Sequence, residues 1–330
     1  PSERSTMHAM IRRSGVTLTL CVLACSPDDV AREELESLPQ GEQTVPDILA
    51  TNAFYYYADV ETAWTFYTDV MGFETAADYG FAKIMRVAEA SYLTLVDEAR
   101  GMHSSEEPKS VTLALVTEQV ELWYDYLQLQ GVPMRADFNY REAQPHDGFV
   151  AVDPEGYLIE VERFNEHEEN VGLLPRMARS GALGPVGGQR PAELEVRATV
   201  LWLYYYDVPG ASAFYEELLG EELIVDQGWA KVYPASGTGY IGLVDGARGL
   251  HQATEEKGVT VSFFTSEVET WFDRASAHGI ELRAPGLTDE SGRVSVFMGY
   301  DPEGYLLEWD TFLDVEGNER LFTLLTGSGA

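Results

Sequence analysis

Hydrophobic and polar positions alternate between two periods along this chain, and the alternation itself repeats. Residues 53–57 are a dense aromatic run bounded by polar positions, which predicts a strand. Asp59 stands as an N-cap before residues 61–70, where Ala63, Phe66, Tyr67 and Val70 share one helical face, and Gly72 ends the helix. Three short strands follow near 73–78, 81–87 and 91–96. The cycle then restarts with a strand at 111–116, a helix at 118–130 stopped by Gly131, and strands near 133–138, 148–152 and 157–162. One βαβββ unit followed by another therefore fills residues 48–165.

The same series returns from Val200 to Phe312. Asp153-Pro154-Glu155-Gly156-Tyr157-Leu158-Ile159-Glu160 reappears as Asp301-Pro302-Glu303-Gly304-Tyr305-Leu306-Leu307-Glu308, and Asp97, Arg100 and His103 reappear as Asp245, Arg248 and His251. The offset is 148 in each case, so no net insertion separates the copies. The layout expected is domain 1 at 48–165, a Gly- and Pro-rich linker at 166–195, domain 2 at 196–313, and a tail at 314–330 carrying a short helix near 320–325.

The N-terminal residues read as an address. Arg12 and Arg13 precede a short apolar run, and Val22-Leu23-Ala24-Cys25 then gives way to polar residues. The run is too short to span a bilayer but suits a signal-peptide core. Its end resembles a bacterial lipobox, which implies a signal peptide at 1–25, lipidation of Cys25, and a tether at 26–47. The protein would then sit in the bacterial cell envelope, lipid-anchored or secreted, touching a membrane only through the anchor.

Charge narrows the partners. Asp and Glu number 55 against 22 Lys and Arg, a formal net charge of -33, and such a surface repels phosphate backbones, so no nucleic-acid partner is expected. The two cysteines, Cys21 and Cys25, both precede the repeats, which leaves the repeats without a disulfide, thiolate site or cysteine nucleophile.

The strand–Asp-Val–helix pattern with its Phe-Tyr pair, together with the terminal Asp-Pro-Glu-Gly-Tyr run, resembles the vicinal oxygen chelate superfamily. That group includes glyoxalase I, extradiol dioxygenases and the bleomycin and fosfomycin resistance proteins. The resemblance implies an α+β fold in which two βαβββ modules form one eight-stranded cup, here one cup per tandem domain. It also implies a divalent metal held by His, Gln or Glu on the first and last strands of each module. Carried onto this chain, those positions fall on Asn52, Thr94, Val111 and Glu160 in the first copy. In the second they fall on Val200, Gly242, Val259 and Glu308. Only the two glutamates are ordinary ligands, so no metal site is expected. A divalent metal on non-standard ligands such as His103 or His146 is the alternative.

Strand alternation places Asn52, Phe54, Tyr56, Tyr92 and Glu160 inside one cup, and Trp202, Tyr204, Tyr240 and Glu308 inside the other. Val111, Leu113, Leu115 and their counterparts share that face in this reading. Such walls suit a small apolar or aromatic ligand, or else are simply core. Glu160 and Glu308 are candidate general bases or relics of the metal site. Arg100, His103, Arg248 and His251 are candidate rim contacts or parts of a structural turn. Three functions remain open: metal-independent binding of a small molecule, a metal-dependent lyase, isomerase or dioxygenase, and a non-catalytic envelope scaffold.

Overall fold

The computed structural model describes residues 45–140 and 143–327. The expected signal segment, Cys25 and most of the tether lie outside the described residues. Among those described, no helix is long and apolar enough to cross a membrane.

The first module is β1 (Ala50–Tyr57), α1 (Val60–Thr65), β2 (Glu74–Asp78), β3 (Ala82–Ala88) and β4 (Ser91–Asp97). Asp59 caps α1 by accepting from the Thr62 N–H, as its position predicts. The second is β5 (Val111–Val116), α2 (Val120–Leu129), β6 (Met134–Ala136), β7 (His146–Val152) and β8 (Leu158–Phe164), followed by the short α3 (Leu174–Met177). The third is β9 (Ala198–Tyr205), α4 (Val208–Leu219), β10 (Val225–Asp226), β11 (Ala230–Pro234) and β12 (Gly239–Asp245). The fourth is β13 (Thr260–Phe264), α5 (Val268–Ala277), β14 (Glu281–Leu282), β15 (Thr288–Glu290), β16 (Val294–Tyr300) and β17 (Leu306–Phe312), and α6 (Glu319–Thr326) ends the described chain.

Two mixed sheets result, of nine and eight strands, so the α+β class and the two cups stand as expected. Which modules build each cup differs from the expectation of one cup per tandem copy. The first cup runs β14-β16-β17-β13-β1-β4-β3-β2, joining module one to module four through an antiparallel β1–β13 pair with Phe54 opposite Thr260. The second runs β10-β11-β12-β9-β5-β8-β7-β6, joining modules two and three through β5 and β9 with Ala114 opposite Val200. Each cup therefore takes half of each copy.

Within one copy the modules contribute to a shared core instead. One continuous cluster of buried residues runs through both sheets, including Tyr55, Leu93 and Tyr67 of module one, Trp123 and Ile159 of module two, and Leu203, Trp271 and Trp309. Each fully buried side chain of this size contributes about 1.5–3 kcal/mol, which holds residues 45–327 as one body.

The Asp-Pro-Glu-Gly-Tyr turns tie that body together. Tyr157 Oη accepts from the Tyr56 N–H at 2.9 Å and donates to the Gly258 carbonyl at 3.0 Å. Asp153 accepts from the Tyr57 hydroxyl at 2.6 Å, and Glu155 accepts from the N–H groups of Ala58 and Asp59. In the second copy Tyr305 accepts from the Tyr204 N–H and donates to the Ser110 carbonyl, while Asp301 accepts from Tyr205. The motif's repetition thus reflects packing, with the polar groups of a buried turn given partners.

The expected linker is folded, and its first part continues the repeat. Asn170 donates to the carbonyls of Pro145 and Asn165, and Asn318, its counterpart at the same offset, donates to those of Arg293 and Leu313. Leu173 and Met177 then pack into the second cup's apolar cluster as Leu321 packs into the first cup's.

Candidate functional site

Each cup encloses a cavity, of about 180 Å³ in the first and about 230 Å³ in the second. The first is walled by Phe54, Tyr56, Tyr79, Phe81 and Phe312, the second by Trp202, Tyr204, Trp229 and Phe164. Into each project two carboxyl groups from one face of the last strand: Glu308 and Asp310 in the first, Glu160 and Glu162 in the second. Neighbours two apart on a strand share a face, which brings each pair together. Module exchange puts Glu160 among the walls of the second copy, and Glu308 among those of the first.

Burial dominates the electrostatics of both pairs. Glu162 and Asp310 are 1% and 2% exposed, Glu308 is buried, and Glu160 is half-buried. Desolvation raises all four above the usual carboxylate range. The Glu160 charge raises Glu162 further while a hydrogen bond from Trp202 opposes the rise. Asp310 raises Glu308 further, and the Ser262 hydroxyl, donating to Asp310 at 2.6 Å, opposes the rise there. Two acids so placed favour sharing one proton over ionising together.

A tyrosine latch crosses each module joint. Tyr56 and Thr260 share a hydrogen bond of 2.7 Å, and Tyr204 and Thr112 one of 2.8 Å. These contacts correct the parity of the central strands. Thr112 and Thr260 face the cups, whereas Val111, Leu113, Leu115, Val259, Val261 and Phe263 lie in the shared core.

Of the sequence candidates, Phe54, Tyr56, Trp202, Tyr204, Glu160, Glu308, Arg100 and Arg248 line the cavities. Asn52, Tyr92, Tyr240, His103 and His251 stand outside the lining. Asn52 accepts from Thr94 at 2.9 Å. Tyr92 packs on Phe264 at 5.5 Å, and Tyr240 packs in the apolar cluster around Val200. His103 bonds Glu107 at 2.7 Å and stands edge-on to Tyr56. His251 stands edge-on to Tyr204, and burial pushes its pKa down to about 4. The repeated turn divides its labour accordingly. Asp97 and Asp245 accept from N–H groups of the turn, the histidines brace the tyrosines, and the arginines reach the cavity. Arg100 stacks on Phe81 at 4.0 Å and Arg248 on Trp229 at 4.8 Å.

Sequence reasoning missed Phe81, Trp229, Tyr79, Glu290 and Arg293 as lining residues. The aromatic pair at Phe81 and Trp229 keeps the repeat offset at a strand entrance and could have been found that way. His146 lines the second cavity, where its counterpart Val294 lines the first.

Two βαβββ modules per cup, joined edge to edge around an open concavity, agree with what a family model finds in the sequence at residues 49–161 and 198–309. The chain belongs to the Glyoxalase/Bleomycin resistance protein/Dioxygenase superfamily. The fold is similar to that of a putative dioxygenase from Bacillus subtilis, at 13% identity over 81% of this chain and 86% of that one, with a TM-score of 0.58. It is also similar to glyoxalase I from Zea mays, at 14% identity over 86% of this chain and 96% of that one, with a TM-score of 0.55. No curated protein matches the sequence.

The divalent metal implied by this superfamily does not fit the residues present. Among the described residues no group of three or more His, Cys, Asp or Glu side chains could hold one. With the modules exchanged and the fifth-strand position moved one residue on, from Val259 to Thr260 and from Val111 to Thr112, the inherited set is Asn52, Thr94, Thr260 and Glu308 in one cup and Val200, Gly242, Thr112 and Glu160 in the other. The hydroxyls of Thr260 and Thr112 are bonded to tyrosines. At Gly242 the Trp202 ring fills the space into which a side chain would project, so that even a Cβ would run into it. An indole there leaves no room for a fourth-strand ligand.

Proposed function

We propose that this superfamily member binds a small molecule with an apolar or aromatic body in its cups, without using a metal. The observation that carries the reading is the second cavity, where Trp202 occupies the fourth-strand ligand position and leaves a space walled by aromatic rings. Cavities of about 180 and 230 Å³ fall below the ~300–1,000 Å³ typical of drug-sized ligands, so the ligand is small. They also count against cups filled as plain core, the premise of a scaffold.

One observation favours a second reading. Paired, buried carboxyl groups with raised pKa values are also how proton transfer near neutral pH is arranged. Binding and proton transfer share the same floor, and turnover of the bound molecule distinguishes them. The envelope location read from residues 10–26 is part of the proposal, and a Cys25→Ser variant is expected to leave the membrane fraction.

The test is native mass spectrometry of the intact chain. Up to two bound small molecules per chain are expected, one of them lost when Gly242→Leu fills the second cup. Bare protein from every preparation, with no uptake from a library of small aromatics, would overturn the proposal.

A further inference from the structure

Both cavities are polarised in the same sense. At the buried side stand the carboxyl pairs Glu308/Asp310 and Glu160/Glu162; at the exposed rim stand Arg100, Arg293 and Glu290 in the first cup and Arg248 in the second. Between them the walls are rings. The rim arginines lie over the faces of Phe81 and Trp229, a pose that leaves the edges of the guanidinium free to donate. The floor of the second cup has unspent capacity: Glu162 is 1% exposed, and its Oε1 has no hydrogen-bond partner. A buried acceptor without a donor is costly, and a ligand donor would recover that cost. In the first cup Ser262 already donates to Asp310, and Arg293, over the Tyr79 ring at 5.7 Å, adds a second guanidinium to the lining.

We propose that each cup takes a zwitterion: a small, flat, apolar body with an ammonium-type donor directed at the floor carboxyl pair and an oxyanion at the rim arginine. This rests on the binding reading above and specifies its ligand. Either charge alone leaves one end of the cavity unmatched, and a neutral body leaves both, so affinity depends on the two ends together. The surplus of acidic residues, a net charge of -33, favours approach with the cationic end leading.

The experiment titrates the full chain by calorimetry with four probes on one skeleton: 4-(aminomethyl)benzoate, benzylamine, benzoate and toluene. The zwitterion is expected to bind at least tenfold tighter than any of the other three. In Arg248→Gln one of two sites should fall to the benzylamine level. In Glu162→Gln one site should lose its preference for the amine, while the other stays as an internal control. Glu162→Gln is isosteric, Arg248→Gln shortens an exposed side chain, and unchanged thermal unfolding checks that both fold. Toluene or benzoate binding as tightly as the zwitterion overturns the charge assignment and leaves the binding reading standing. The charge assignment also falls, with binding intact, if no probe binds but the purified chain carries a neutral small molecule. If no probe binds and the chain carries nothing, both fall.

Discussion

The two cups occupy the same positions of the repeat and solve the same floor differently. In the first, Ser262 donates to Asp310, Thr94 donates to Asn52, and Phe54 is the wall. In the second, Ala114 replaces Ser262 and can donate nothing from its side chain, Gly242 replaces Thr94, and Trp202 replaces Phe54. The larger ring needs the glycine, because any side chain at 242 would meet it. Having moved in, it lies near enough to Glu162 to oppose the rise of that carboxyl's pKa. A larger wall and the loss of the floor hydroxyl thus go together in this cup. What both cups keep is the acid pair, the tyrosine latch and the rim arginine.

Substitutions at matched positions probe how far the cups diverge. The largest effect is expected where they do not differ. Asp153→Ala and Asp301→Ala each strip a buried acceptor from tyrosine hydroxyls and turn amides, and each should cost about 3–5 kcal/mol in denaturant unfolding. Unequal costs would mean that the tie differs between copies.

The floor acids come next. A carboxyl group raised in the folded state stabilises below its unfolded pKa, and that contribution is lost as pH rises through the folded value. For Asp310 the window runs from the ordinary aspartate range to about 7. Asp310→Asn should therefore be more stable than the parent at pH 8, on the order of 2 kcal/mol, with the gap closing toward pH 4. Thermal unfolding across that range reads it, and a gap that grows on acidification would reverse the assignment.

Gly242→Ala is expected to cost about 1–3 kcal/mol by crowding Trp202, and to lower occupancy of the second cup only. The matching change at the first cup, Thr94→Ala, removes one hydrogen bond to Asn52 and should cost about 1 kcal/mol without crowding. Smallest are Tyr56→Phe and Tyr204→Phe, each losing one bond across a module joint for about 1 kcal/mol, visible as a paired shift in midpoint.

Much of this was legible in the sequence. The βαβββ order and the helix cap at Asp59 follow from period and spacing, and the cup-facing positions of Glu160 and Glu308 from the family resemblance of the Asp-Pro-Glu-Gly-Tyr run. The exchange of modules was not, because a constant offset of 148 states only that the copies are alike. Partners within a copy and across copies present similar local sequences to each other, so the pairing is visible only in the tertiary structure, where Trp123, Trp271 and Trp309 lie in one core shared by both sheets. The parity of β5 was also hidden. All of Val111–Val116 is buried, so no polar alternation marks which side faces the cup. The Asn170 side chain sat in a segment whose glycines and prolines suggested a linker, and Asn318 lay beyond the end of the second copy, in what read as a tail.

These cups keep a concavity in which Trp202 and the tyrosine latches take the places of the superfamily's metal ligands. Titrating the chelator-treated chain with Zn, Fe, Mn and Ni, and weighing it by native mass spectrometry, addresses that statement without intermediate steps. No stoichiometric metal uptake is expected, with bound small molecules retained after chelation. One or two metal ions per chain, abolished by Glu160→Gln and Glu308→Gln, would contradict it.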